Sequence, residues 1–91
     1  MKVVHWTDEA IDQPLKIREY LAGTSPQYAA MIVDQIFERV DQLLQFPESG
    51  PVHKKAGLPQ VREPLVRPYE LIYEVTDKQI RILAVFHRRQ G

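Results

Sequence analysis

Residues 61 to 89 constrain the fold more than any other stretch of this 91-residue chain. They form three apolar, β-branched and aromatic runs separated by two short polar turns, the second of which is Thr76-Asp77-Lys78, and they end in the basic cluster His87-Arg88-Arg89. Such a pattern predicts a three-stranded antiparallel meander with a basic tip. Leu71, Tyr73 and Val75 alternate with Ile72 and Glu74, while Ile80, Ile82, Ala84 and Phe86 alternate with Arg81, Leu83, Val85 and His87. Both phases of the last two strands are partly apolar, so these strands are expected at the centre of the sheet and covered on more than one side. Pro64 would remove a ladder donor, which places its strand at an edge or a bulge.

The N-terminal half reads as a strand and two helices. Lys2 to Trp6 is a short β-prone run, and Thr7 followed by Asp8 and Glu9 supplies a capping hydroxyl and early acids for a helix start. Ala10, Ile17 and Leu21 fall at helical spacing, as do Ile11 and Leu15, and Gly23 ends the segment. Pro14 would cost about 3 kcal/mol inside a helix begun at Thr7, so the helix kinks there or begins later with Asp12 as its cap. Ser25-Pro26 is a second start signal. It opens five turns in which Ala29, Ile32, Val33, Ile36, Phe37, Val40, Leu43 and Leu44 keep one apolar face. Phe46-Pro47 stops this helix, and Glu48 to Gln60 reads as a loop.

A chain of 91 residues builds one small domain, spanning residues 1 to 91, and has little room for a large buried cleft. The absence of cysteine removes disulfides, thiolate zinc sites and cysteine nucleophiles together. No stretch approaches the ~20 apolar residues of a membrane span and the start carries no signal-peptide pattern, so the expected location is cytoplasmic, with no membrane partner. The formal net charge is zero, but residues 1 to 50 carry four basic and eight acidic side chains and residues 51 to 91 carry eight basic and four acidic, giving −4 and +4. One end of the fold is therefore expected to be electropositive, and any grip on nucleic acid has to be local.

His5, His53 and His87 have no metal-ligand spacing, and neither a glycine-rich phosphate loop nor a nucleophile elbow is present. No metal or other cofactor is expected. His87, Arg88 and Arg89 should project where the backbone leaves the sheet, and Arg62, Arg67 and Arg81 could merge with them into one anion-binding surface. The plainer reading pairs these arginines with Glu63, Glu70 and Glu74 across the sheet and leaves Lys54 and Lys55 as solvated loop charge. A metal-free ribonuclease needs a base, a cation for the phosphorane and an acid for the leaving group. His87 with Arg81 and Arg89 could supply these three roles.

Several fragments, in order and spacing, resemble the RelE/ParE superfamily of small bacterial toxins: Trp6-Thr7 with Glu9-Ala10, Ile17, Tyr20-Leu21, Ser25-Pro26, and Leu43-Leu44 with Phe46-Pro47 and Ser49-Gly50. They continue through Val61-Arg62-Glu63, Pro68-Tyr69, Ile72-Tyr73-Glu74-Val75, Ile82-Leu83-Ala84-Val85 and His87-Arg88-Arg89. The resemblance implies an α+β fold in the order β-α-α-β-β-β, a helical hairpin on a twisted antiparallel sheet. It also implies a toxin of a type II toxin-antitoxin pair, neutralised by a cognate antitoxin through which alone operator DNA is bound. Within the superfamily, RelE-like members cleave messenger RNA on the ribosome and ParE-like members poison DNA gyrase. RelE-like nucleases commonly place an arginine near the Pro68-Tyr69-Glu70 position and lysines on the preceding strand, where this chain has Glu70, Val61 and Glu63. Negative charge there opposes phosphate binding, and the tyrosine that some nucleases carry beyond the last strand is missing. The Phe-Pro-x-Ser-Gly turn and the His-Arg-Arg ending match the ParE-like branch, with Arg62, Arg67, His87, Arg88 and Arg89 as target-binding candidates and gyrase as the expected target. The alternatives are the ribosome-dependent nuclease, with His87, Arg89 and Arg81 catalytic, and a non-toxic binding partner in an autoregulatory complex. Every one of these readings leaves an apolar groove for a partner, whose contact residues on this chain the resemblance does not assign.

Overall fold

A computed structural model describes residues 2–90. The N-terminal strand β1 (Val3–Trp6) leads into two short helices, α1 (Asp8–Ile11) and α2 (Gln13–Ala22), and then the long helix α3 (Pro26–Gln45). The sheet is completed by β2 (Val61–Arg62), β3 (Leu65–Val66), β4 (Tyr69–Val75) and β5 (Gln79–His87), and a 3-10 turn covers Arg88–Gln90.

Local chemistry accounts for the helix boundaries. The Thr7 hydroxyl accepts the Ala10 amide at 3.3 Å and also donates to the Ile82 carbonyl at 3.0 Å, so one side chain caps α1 and ties it to β5. Pro14 divides the segment: α1, begun after Thr7, ends at Ile11, and α2 begins afresh at Gln13 with proline in its first turn and Asp12 at the N-cap position, where its side chain makes no capping hydrogen bond. The restart keeps the apolar face in line, since Ala10 of α1 is buried on the same side as the core-facing residues of α2. Ile17 and Leu21 pack on the core, whereas Ile11 and Leu15 face outward. Ser25 caps α3 by accepting the Tyr28 amide at 3.2 Å, with Pro26 as the first helical residue.

The sheet runs in the order β1-β5-β4-β2, and β3 pairs with the same edge of β4 as β2 does. Pro64 sits between these two edge fragments, needs no ladder donor, and offers its carbonyl to the Leu71 amide at 3.0 Å. The central strands are β4 and β5, antiparallel. β1 is parallel to β5, with Val4 opposite Ile80 and Trp6 opposite Ile82, so the two ends of the chain meet in one ladder.

One irregularity reorganises the last strand. Tyr73 pairs with Ile82 but its neighbour Ile72 pairs with Ala84, which leaves Leu83 without a partner of its own. This β-bulge flips the alternation beyond it. The simple alternation put Ala84 and Phe86 on the face of Ile80 and Ile82; instead Val85 joins Ile80, Ile82, Leu71 and Tyr73 in the core, and Ala84 and Phe86 lie on the other face. The core fills the space between the helices and this inner sheet face, with Ile32, Ile36, Val40 and Leu43 of α3 set against Leu71, Tyr73, Ile80, Ile82 and Val85. Burial of each such side chain contributes roughly 1.5–3 kcal/mol. The expected apolar face of α3 is confirmed except at its margin, where Phe37 and Leu44 remain exposed and Phe37 meets Trp6 in a tilted pair with ring centres 5.5 Å apart.

Beyond α3, the turn Phe46 to Gly50 is locked to the sheet. The Tyr73 hydroxyl donates to the Pro47 carbonyl at 2.7 Å and accepts the Gly50 amide at 3.2 Å. A side chain at position 50 would begin with a Cβ 2.9 Å from Pro64 Cδ, so only glycine allows this close approach. The following loop is not free either: Val52 bridges to Arg62, and His53 meets Glu63 at 2.9 Å. Among the described residues no helix is long and apolar enough to cross a membrane.

Candidate functional site

The basic residues singled out by the sequence fall into two groups. Arg62 and Arg81 are engaged within the fold. The Arg62 guanidinium donates to the carbonyls of Pro59, Glu48 and Gly50 at 2.8, 3.1 and 2.9 Å, fastening the loop and the α3 exit to the sheet edge. Arg81 meets Glu74 at 2.7 Å on the outer sheet face, the cross-strand pairing that the plainer reading anticipated. The bulge at Leu83 lies between Arg81 and His87, so the two side chains emerge on opposite faces, about 20 Å apart along the strand.

The second group gathers at the tip, where the Arg67-Pro68 turn between β3 and β4 meets the end of β5. The Arg88 amide donates to the Pro68 carbonyl at 3.0 Å, which brings Arg67 together with His87, Arg88 and Arg89. Arg88 lies 3.7 Å from the Glu70 carboxylate, a loose contact between partly exposed groups. Lys54 and Lys55 stay in the exposed loop.

His87 is oriented on two sides. Its ring meets Tyr69 edge-on at 5.4 Å, and its Nδ1 accepts the Arg89 amide at 3.1 Å. Nδ1 therefore carries the lone pair, and the N–H lies on Nε2. The imidazole presents a donor. Because the bulge turns His87 toward the helical layer, it lines a cleft of about 570 Å³ between α2 and the end of β5, whose walls include Lys16, Tyr20, Tyr69, Val85 and Arg89. Gln13 closes its inner end by accepting the Val85 amide through its side-chain oxygen. Tyr69 is nearly buried, and that burial, with the nearby Tyr28 and Tyr20 phenols as lesser causes, raises its pKa above the ordinary tyrosine value.

Of the residues lining this cleft, sequence reasoning singled out His87 and Arg89 and missed the helical side. Nothing in the sequence set Lys16 apart, and Tyr20 entered only as part of the family resemblance; the available signal was an aromatic ring on the solvent side of that helix. Among the described residues no three His, Cys, Asp or Glu side chains gather as metal donors.

Comparison with known proteins decides the family. Residues 4–91 match the family model described as the ParE toxin of the type II toxin-antitoxin system parDE. The chain belongs to the ParE toxin family of type II toxin-antitoxin systems. This ParE-family chain is 30% identical over 91 residues to the Sinorhizobium fredii protein Y4kP, itself a proposed toxin, covering 98% of this chain and 91% of that protein. Its fold matches a structure of the chromosomal ParDE toxin-antitoxin system from P. aeruginosa with a TM-score of 0.74 and 29% identity, over 96% of this chain and 95% of the other. The YoeB dimer from Staphylococcus aureus shares the fold at a TM-score of 0.64 and 16% identity, over 94% and 97% of the two chains. The expected α+β architecture, with its N-terminal strand, helices and following sheet, is thereby confirmed.

Proposed function

We propose that this ParE-family toxin arrests growth in the cytoplasm by poisoning DNA gyrase through the basic tip, with Arg67, His87, Arg88 and Arg89 as the target-binding residues, and that a cognate antitoxin neutralises it. The observation that carries the choice of target is the state of His87. A metal-free ribonuclease needs a base to take the 2′-hydroxyl proton, and the His87 imidazole already spends its Nδ1 lone pair on the Arg89 amide, which leaves Nε2 as the N–H side of the ring. Arg81, the cation that such a mechanism would recruit, is paired with Glu74 on the other face. A carboxylate, Glu70, stands beside Arg88 where phosphate charge would have to accumulate.

The test combines induction in a bacterial host with a purified gyrase assay. Induction is expected to arrest growth with a DNA-break response, and the purified chain to trap gyrase on cleaved plasmid. Arg89→Ala and His87→Ala should each reduce trapping at least tenfold while melting within a few degrees of the parent, since both side chains lie at the surface of the tip. Arg62→Ala, in contrast, should act through stability, because it frees three carbonyls from a charged donor. Codon-aligned cuts in messenger RNA without gyrase trapping would replace this reading by the nuclease. Folded protein with no growth effect would leave a non-toxic binding partner.

Antitoxin binding is supported by apolar side chains left uncovered on the helical layer: Ile11, Leu15, Met31, Phe37 and Leu44 are all at least 40% exposed. Phe37 and Leu44 lie two turns apart on one flank of α3, suited to an apolar partner segment laid along it. Addition of the antitoxin in saturating amounts, at about 100 times its Kd, should stabilise the toxin by about 2.7 kcal/mol and raise its Tm by roughly 10 °C or more. An unchanged melting curve in the presence of the antitoxin would refute the pairing.

A further inference from the structure

We propose that the cleft between α2 and the end of β5 binds one unstacked nucleotide of a single-stranded segment, with the base on Tyr20 and the phosphate held by Lys16, Arg89 and the Nε2–H of His87. The proposal takes the tip as the working surface, as the proposed function does, but it does not require gyrase to be the target.

Charge supplies the first argument. Among the described residues Arg81 and Arg88 face glutamates, whereas neither Lys16 nor Arg89 has a carboxylate within salt-bridge distance. Two cations from different elements thus line one cleft with no carboxylate partner among the described residues, together with an imidazole whose Nδ1 is engaged as an acceptor. That combination suits a phosphate monoester or diester.

Shape and aromatic content supply the second. At about 570 Å³ the cleft is in the range of small-ligand sites and has room for a base, sugar and phosphate. Tyr20 lines it with 81% of its surface exposed, a large ring in a position to stack on a base. Tyr69 forms a wall that is almost wholly buried and held by His87, so the rigid side of the cleft is preformed.

Two other occupants fit less well. An extended peptide continuing β1 along β5 beyond Ile82 would need the Val85 amide, which the Gln13 side chain already occupies. Duplex DNA draws its affinity from many phosphate contacts, and a chain of zero net charge with an acidic N-terminal half offers few. A single strand gains stacking energy that a duplex does not offer, and needs only local charge.

The experiment is fluorescence anisotropy of the full chain with a labelled single-stranded DNA of about a dozen nucleotides, its duplex form and the same sequence as RNA, across a salt series. Single-stranded DNA should bind at least tenfold more tightly than the duplex. Tyr20→Ala should weaken single-strand binding about tenfold with little change in salt dependence, while Lys16→Ala and Arg89→Ala should each lower the salt slope by about one. RNA bound as tightly as DNA also supports the site, since base stacking and phosphate contacts do not involve the sugar. Equal affinity for duplex and single strand, no binding of any oligonucleotide, or full affinity in Tyr20→Ala with an unchanged melting curve would each overturn the proposal. Gyrase trapping measured on the same proteins separates the two readings: loss of the gyrase result with retained oligonucleotide binding removes the target and leaves the site.

Discussion

Ile82→Ala is expected to lower stability by about 2–5 kcal/mol, enough to leave much of the chain unfolded at growth temperature. Ile82 is fully buried and stands between Tyr73 on β4 and Trp6 on β1, at the point where the parallel and antiparallel ladders share one strand. Its carbonyl accepts both the Thr7 amide, at 3.1 Å, and the Thr7 hydroxyl, at 3.0 Å, so the backbone there is held from the helix side and cannot shift to fill a void. A cavity that cannot collapse is the expensive kind. Urea unfolding should therefore show a lower midpoint at unchanged slope, with Tm falling by about 4–8 °C for each kcal/mol lost. Val3→Ala on the same parallel pair of strands is the matched control, because Val3 is largely exposed and its truncation should cost less than about 0.5 kcal/mol. A loss below about 1 kcal/mol for Ile82→Ala would mean that β1 and β5 can repack, and that the closure of the two chain ends is looser than the ladder implies.

That closure also marks how far the sequence can be read. Features fixed by neighbouring residues were legible: the caps at Thr7 and Ser25, the break at Asp12 before Pro14, the buried face of α3, and the edge position of Pro64. Each depends on chemistry within one or two turns. The parallel pairing of β1 with β5 was not legible, because it joins residues about 75 apart and nothing local selects a partner for Val3–Trp6. Nor was the bulge. Alternating residues predict a regular strand, and whether Leu83 is skipped depends on how the outer part of β5 meets α2 and β4. The consequence for the site is large, since one skipped residue moves His87 from the face of Arg81 to the face of Tyr69 and α2. The composition of the basic cluster was visible in the sequence; its direction was not.

Tyr73→Phe removes one oxygen and is expected to cost about 1–3 kcal/mol, because it strips a buried donor and a part-buried acceptor of the partner they share. The Tyr73 hydroxyl links both the Pro47 carbonyl and the Gly50 amide to the sheet, and the Tyr73 side chain is wholly buried. Without it the turn after α3 keeps the Arg62 bonds to Glu48 and Gly50 but loses its fixed point over β4. The variant should retain its β-sheet signature, and amide exchange should rise first around Ser49 to Val52. A pH signature accompanies the loss. Burial raises the Tyr73 pKa above its ordinary 10.0, outweighing the Gly50 amide and the nearby Arg62 and Arg39, which favour the phenolate. Below pH 10 the phenol is neutral in folded and unfolded chains alike and contributes no pH dependence. Above it the unfolded chain releases its proton first, so stability falls as pH rises toward the folded-state value and the fall ends once both states are ionised. Tyr69, raised in the same direction by burial, contributes a parallel decline. Tyr73→Phe should therefore start from lower stability at neutral pH yet decline less steeply above pH 10, whereas an unaltered alkaline slope would mean that water reaches the Tyr73 hydroxyl in the folded chain.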